Sequence, residues 1–85
     1  MSNHTINTGT AQSIDVTHNG RAYSSVIVQN LGSGIVYVDT VPGVTTSTGM
    51  KIAAGASVGP FPLSRQTLYA VASADGQDVR VLLVG

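Results

Sequence analysis

The chain reads as all-β: a small antiparallel β-sandwich or flattened barrel of about seven short strands. Three observations predict this. Valine occurs twelve times and threonine nine in 85 residues, while long helix-favouring side chains are few. Apolar residues alternate in short runs, and Gly-containing turns separate those runs at sandwich-like spacing. No segment carries an apolar period of helix length. Eighty-five residues make one domain, and a chain of that size buries only about 60–65% of the surface it exposes when unfolded.

Residues 1–10, MSNHTINTGT, hold a single large aliphatic, Ile6. They read as a flexible N-terminal arm ahead of a sandwich domain spanning 11–85. Asn19-Gly20 is a two-residue hairpin signal, because a type I′ turn needs positive φ at both central positions. That turn sets Val16 opposite Tyr23 and Ile14 opposite Ser25, with Ile27 farther along the same apolar face. Taking Leu31-Gly32-Ser33-Gly34 as the next connection pairs Ile27 with Val38 and Gln29 with Val36. Val26, Val28, Ile35 and Tyr37 are then left on the reverse face.

Val41 to Thr48 is a Thr-rich loop, Met50 to Ala53 a short strand, and Ala54-Gly55-Ala56 a turn. The following segment ends Gly59-Pro60-Phe61-Pro62-Leu63. Residues two apart in a strand direct their N–H groups to the same neighbour, so Pro60 and Pro62 strip donors from one edge and mark an edge strand. Asp75-Gly76 is the second hairpin signal. It sets Ala72 against Val79, Ala70 against Val81 and Leu68 against Leu83, with Tyr69, Val71, Leu82 and Val84 on the reverse side.

Charge is scarce. Four basic and four acidic residues make 9% of the chain, with no glutamate and with uncharged runs from Ala22 to Val38 and Ile52 to Ser64; ordinary domains carry roughly 25%. Zero net charge leaves no electrostatic footprint for nucleic acid or an anionic membrane surface. No run approaches the roughly 20 apolar residues of a spanning helix, and Met1 to Thr10 lacks the regions of a signal peptide. The expected origin is the cytoplasm of the producing cell. With no Cys to staple so small a domain, oligomerisation or docking is the expected source of added stability.

Motifs for chemistry are thin. Gly55-Ala56-Ser57-Val58-Gly59 matches the pattern that seats a nucleophilic serine on a strand-to-helix turn, but no helix-forming stretch follows and both histidines precede Ser57. His4 and His18 lack the companions a zinc or copper site requires. Asp75, Gln77 and Asp78 offer calcium-type oxygens, yet turn chemistry accounts for them. Tyr23, Tyr37, Phe61 and Tyr69 lack a Trp partner for a sugar-stacking platform and suit core or subunit packing. No enzyme activity and no cofactor are expected.

Val26-Ile27-Val28-Gln29-Asn30, Gly32, Ile35-Val36-Tyr37-Val38, Thr45-Thr46-Ser47-Thr48-Gly49 and Ile52-Ala53-Ala54-Gly55-Ala56-Ser57 form a pattern that resembles small virion proteins of tailed bacteriophages. Leu68-Tyr69-Ala70-Val71-Ala72 and Val79-Arg80-Val81-Leu82-Leu83 are similar as well. The resemblance spans roughly residues 25–85 and brings no catalytic residues. It implies a β-sandwich in the virion, a capsid decoration or cement protein acting as a homo-oligomer, with a trimer favoured by analogy and capsid or other virion proteins as partners. The expected interface residues are Ile6, Val26, Val28, Ile35, Tyr37, Tyr69, Val71, Leu82 and Val84. The alternative expectation is an adhesion module on a tail or head fibre that binds a host glycan through the Val41 to Thr48 loop and Tyr37 or Tyr69.

Overall fold

The structure, a computed structural model, describes residues 2–14, 17–18, 21–22, 25–62 and 67–84. These hold β1 (Ser2–Ile6), β2 (Gln12–Ile14), β3 (Thr17–His18), β4 (Arg21–Ala22), β5 (Ser25–Asn30), β6 (Val36–Asp39), β7 (Met50–Ile52), β8 (Ser57–Pro62), β9 (Leu68–Ala72) and β10 (Gln77–Val84). Eight of these strands build two antiparallel four-stranded sheets, β1-β10-β5-β8 and β2-β9-β6-β7, while β3 and β4 pair with each other. The all-β sandwich expected from composition is the fold observed.

Its topology follows from one nested pairing. β1 pairs with β10, β2 with β9, β5 with β8 and β6 with β7, and all four pairings are centred within Val41 to Val44. Apart from β3 and β4, which pair locally, these strands form one long hairpin bent at that segment and rolled so that successive strand pairs fall alternately in the two sheets. Rolling adds the contacts of β10 with β5 and of β9 with β6. Two four-stranded sheets wound in this order constitute a double-sheet jelly roll.

Side chains alternate along the strands, and the sheets bury one face each against the other. Ile6, Val26, Val28, Val79 and Val81 from the first sheet meet Ile14, Val36, Val38, Ile52, Leu68, Ala70 and Ala72 from the second, with Val58 packed alongside. Small Ala70 and Ala72 on β9 belong to the same core as the larger Val79 and Val81. Their complementarity acts across the sandwich.

Several expected pairings are corrected by this winding. Asp75-Gly76 does not close a hairpin, because β9 and β10 lie in different sheets, and Leu31 to Gly34 is likewise a crossover between sheets. Ile14 pairs with Leu68, and Ser25 with Val84 and Pro62. Next to its turn the first hairpin keeps the expected register, with Thr17 opposite Ala22 and His18 opposite Arg21, but it does not extend to Ile14 and Ser25, whose partners are on other strands; Val16, Asn19, Gly20 and Tyr23 lie outside the described residues. Residues 2–6 are a strand at the rim of the first sheet, where an arm was expected, and Ile6 is buried in the core. The physical reason is that an edge strand needs only a few inward residues to dock, while its ladder supplies the rest.

β8 is an edge strand, as its two prolines predict. Its register with β5 shifts between Val26 and Val28, where two residues of β8 oppose one of β5. Such a bulge bends an edge away from further pairing.

The four connections at one end of the sandwich are laced together by side chains. Asn30, fully buried, donates from Nδ2 to the carbonyls of Gly34 (2.9 Å) and Ile52 (3.1 Å) and accepts the Gly32 N–H at Oδ1 (3.0 Å). Gln77 Oε1 accepts the Gly34 N–H at 2.7 Å. Ser73 Oγ accepts the Ile35 N–H at 3.0 Å, and Asn7 Oδ1 accepts that of Gly76 at 2.9 Å. Each satisfies a crossover amide that no sheet ladder reaches.

Candidate functional site

With both inner faces consumed by the core, recognition falls to the outer faces and to the loops at the opposite end. On the first sheet, register puts Ile27 beside Leu82, Gln29 beside Arg80, and Ser57 beside Gln29. These five residues line a shallow depression of about 190 Å³. Leu82 is 40% exposed, so the centre of this face is apolar and open to water. Arg80 Nη2 lies 3.5 Å from Asp78 Oδ2, with both side chains largely solvated, a contact of the kind that holds little energy. Arg80 Nε is shielded from solvent and has no hydrogen-bond partner among the described residues.

On the second sheet, Tyr37 is flanked by Val71 and Lys51, and Tyr69 by Asp39 and Ser13. Tyr37 and Tyr69 thus sit on a diagonal of neighbouring strands, where Cα spacing is about 7–8 Å and aromatic side chains can meet. The segment between β6 and β7 folds against this face. Val44 is buried without joining the core cluster. A Cβ on Gly49 would lie 2.7 Å from Val44 Cγ2 and 2.8 Å from Tyr37 Cβ, so only glycine admits that approach. Thr45 and Thr48 hold the loop's own shape through a hydroxyl–hydroxyl contact of 3.2 Å and the Thr45 N–H donated to Thr48 Oγ1 at 3.0 Å.

Beneath that loop opens a second depression, about 370 Å³, lined by Val38, Asp39, Thr40, Thr48, Met50 and Leu68. Val38 and Leu68 form an apolar floor. Asp39 Oδ1 accepts the Thr40 N–H at 2.6 Å, and Asp39 is in no ion pair among the described residues.

The expected interface residues therefore divide. Ile6, Val26, Val28 and Val71 are buried, the first three in the core itself, and none of the four presents an outer surface. Ile35 is half-buried in a crossover, its backbone bonded to Ser73. Tyr37, Tyr69 and Leu82 face outward. Val84 pairs with Ser25 through β10, and its side chain lies outside the described residues. Ile27 and Gln29 were missed because two assumed hairpins, Ile14 opposite Ser25 and Ile27 opposite Val38, both put them on the core face, whereas Ile14 pairs with Leu68 and β6 lies in the other sheet. Asn30 was the available signal: a crossover needs a buried polar residue to bond its stray amides, and Val26, Val28 and Asn30 share one face.

Residues singled out for chemistry are dispersed. Ser57 opens β8, His4 pairs in register with Val79, and His18 is on β3. Asp75 and Gln77 are engaged by backbone and threonine donors. Among the described residues no three His, Cys, Asp or Glu side chains are grouped to hold a metal ion. Comparison with protein families, with curated proteins and with solved structures finds no match for this chain.

Proposed function

We propose that this chain is an accessory virion structural protein of a tailed bacteriophage, a decoration or cement protein that binds the assembled capsid as a small homo-oligomer. The outer face of the first sheet carries this reading: Leu82 stands exposed beside Ile27, and the Arg80–Asp78 ion pair next to it is weak. The resemblance over residues 25–85 and the near absence of charge support it. So does the architecture, which recurs in capsid domains, although that is analogy only. The mechanism is mechanical. Each copy withdraws apolar area from water at about 25 cal/mol per Å², and the gain repeats over a shell.

The test is native mass spectrometry of the purified chain, followed by co-sedimentation with particles that lack it. An oligomer that pellets with particles is expected, and Leu82→Asp abolishes pelleting while leaving the far-ultraviolet circular dichroism unchanged. A monomer with no affinity for particles overturns the proposal.

A second reading, an adhesion module for a host glycan, is favoured by Tyr37 and Tyr69 lying on one face beside the Val41 to Thr48 loop, near the carboxylate of Asp39. Carboxylate and hydroxyl groups over an apolar floor suit a sugar ring. Glycan-array binding lost on Tyr37→Ala supports this reading, and silence of a folded protein on such arrays favours decoration.

A further inference from the structure

Asp75-Gly76 combines the features of a spontaneous modification site: an exposed aspartate, and a following glycine with no side chain to shield its nitrogen. In such a pair the Gly76 nitrogen attacks Asp75 Cγ. The N–Cγ bond forms, a C–O bond of the protonated carboxyl breaks, and one water leaves with the amide proton, giving a five-membered succinimide. Water then adds back to either carbonyl. Addition at Cγ restores aspartate; addition at the main-chain carbonyl breaks its bond to Gly76 and leaves an isoaspartate, with one extra methylene in the backbone and a free α-carboxylate.

Both reacting groups are engaged here by the corner between β1 and β2. Asp75 Oδ1 accepts the Thr8 N–H at 2.9 Å and the Thr8 hydroxyl at 2.8 Å. The nucleophile's own N–H is donated to Asn7 Oδ1 at 2.9 Å, and Gly76 is fixed at φ 76°. Asn7 is itself anchored, its carbonyl accepting the Ala72 N–H at 3.0 Å and its N–H bonding Gln12 Oε1 at 2.7 Å. Closure of the ring requires the carboxyl to leave Thr8 and the amide to leave Asn7 together. The Thr8 donors also favour the ionised carboxylate, which is a poor electrophile, and lower the Asp75 pKa.

We propose that Asp75-Gly76 is an isoaspartate-forming site held closed by the Asn7–Thr8 corner, so that modification there and the docking of β1 control one another. The link is spatial: the pairing of β1 with β10 begins at Ile6 and Gln77, one residue beyond Gly76. An isoaspartate lengthens the crossover at that point and withdraws the acceptor from Thr8, releasing the end of β1.

The experiment ages the full chain at neutral pH and physiological temperature and measures isoaspartate at residue 75 by peptide mapping. Wild type, Thr8→Ala, Asn7→Ala and denatured wild type are compared. Val38→Ala, at the far end of the sandwich, serves as a variant destabilised elsewhere, and circular dichroism confirms that each non-denatured sample is folded. Loss of one such hydrogen bond raises the open population about tenfold. The expected result is isoaspartate forming about tenfold faster in Thr8→Ala and in Asn7→Ala than in wild type, with Val38→Ala close to wild type and the denatured chain fastest. Wild type modified as fast as the denatured chain overturns the proposal. So does acceleration by Val38→Ala equal to that by Thr8→Ala, which would assign the protection to global folding.

Discussion

Asn30→Asp is nearly isosteric yet reverses the polarity at a fully buried polar site of the fold. Nδ2 now donates to two carbonyls, of Gly34 and Ile52. A carboxylate would set an anionic oxygen against both, so the folded chain must bind a proton that the unfolded chain, with a carboxyl near pKa 3.9, does not hold at neutral pH. If the folded value rises past 7, about 3 pH units at about 1.4 kcal/mol each give roughly 4 kcal/mol. The protonated acid has one O–H for two carbonyls, and the carbonyl left over adds about 1–3 kcal/mol at every pH. The loss is thus about 5–7 kcal/mol at neutral pH and about 1–3 kcal/mol in acid. The pKa is raised on folding, so the variant's relative stability is fully present below about pH 4 and falls as pH rises.

Urea denaturation of wild type, Asn30→Asp and Asn30→Ala across pH, followed by circular dichroism, measures the difference directly. Asn30→Asp should lose stability against Asn30→Ala at about 1.4 kcal/mol per pH unit above pH 4, or be unfolded at neutral pH and recover in acid. A pH-independent difference, or a loss below about 1 kcal/mol at neutral pH, refutes the assignment of Asn30 as the bond between the crossovers.

Ile6→Ala should cost about 2–5 kcal/mol in the same urea assay, because the side chain is 1% exposed within the core; a loss under about 0.5 kcal/mol would restore the free arm. Gly32→Ala drives a Cβ into the Gln77 amide and to 3.1 Å from Gln77 Cα, and should cost about 1–3 kcal/mol, less once Gln77 is also shortened to Ala. The Thr8 donors hold the Asp75 carboxyl below its usual range. Its contribution is therefore present above the unfolded pKa and lost as pH falls through the folded value, and Asp75→Asn should flatten the acid limb of the stability curve. An unchanged acid limb would show that the Thr8–Asp75 contact contributes nothing to folding.

Local chemistry was legible in the chain. Two prolines at alternate positions identified β8 as an edge, Met50 to Ala53 announced β7, Asn19-Gly20 set the pairing of Thr17 with Ala22, and alternation turned Tyr37 and Tyr69 outward. Each depends on residues within a few positions of one another. The candidate surfaces were only half legible: Leu82, Tyr37 and Tyr69 were found, whereas Ile27 was exchanged for Val26 and Val28. β5 has Val26 and Val28 on one side and Ile27, between Ser25 and Gln29, on the other; with a β-branched residue on each side, its inward face was set by the hairpin registers assumed for it, and those registers belong to a single sheet where the chain winds through two.

Composition and short-range pattern by themselves determined that this chain is a small, sparsely charged, all-β domain, and where most of its strands and turns lie. Only the tertiary structure decided that Ser2–Ile6 closes the first sheet, that Gly76 turns a crossover, and that Ile27 and Leu82 share an outer face. The reason is the winding. A turn motif specifies the backbone over two residues and is compatible with strands in one sheet or in two. The choice between them is made by burial summed over strands more than 60 residues apart, as with Ile6 and Gln77, and by buried amides such as Asn30 that stabilise one winding over the other.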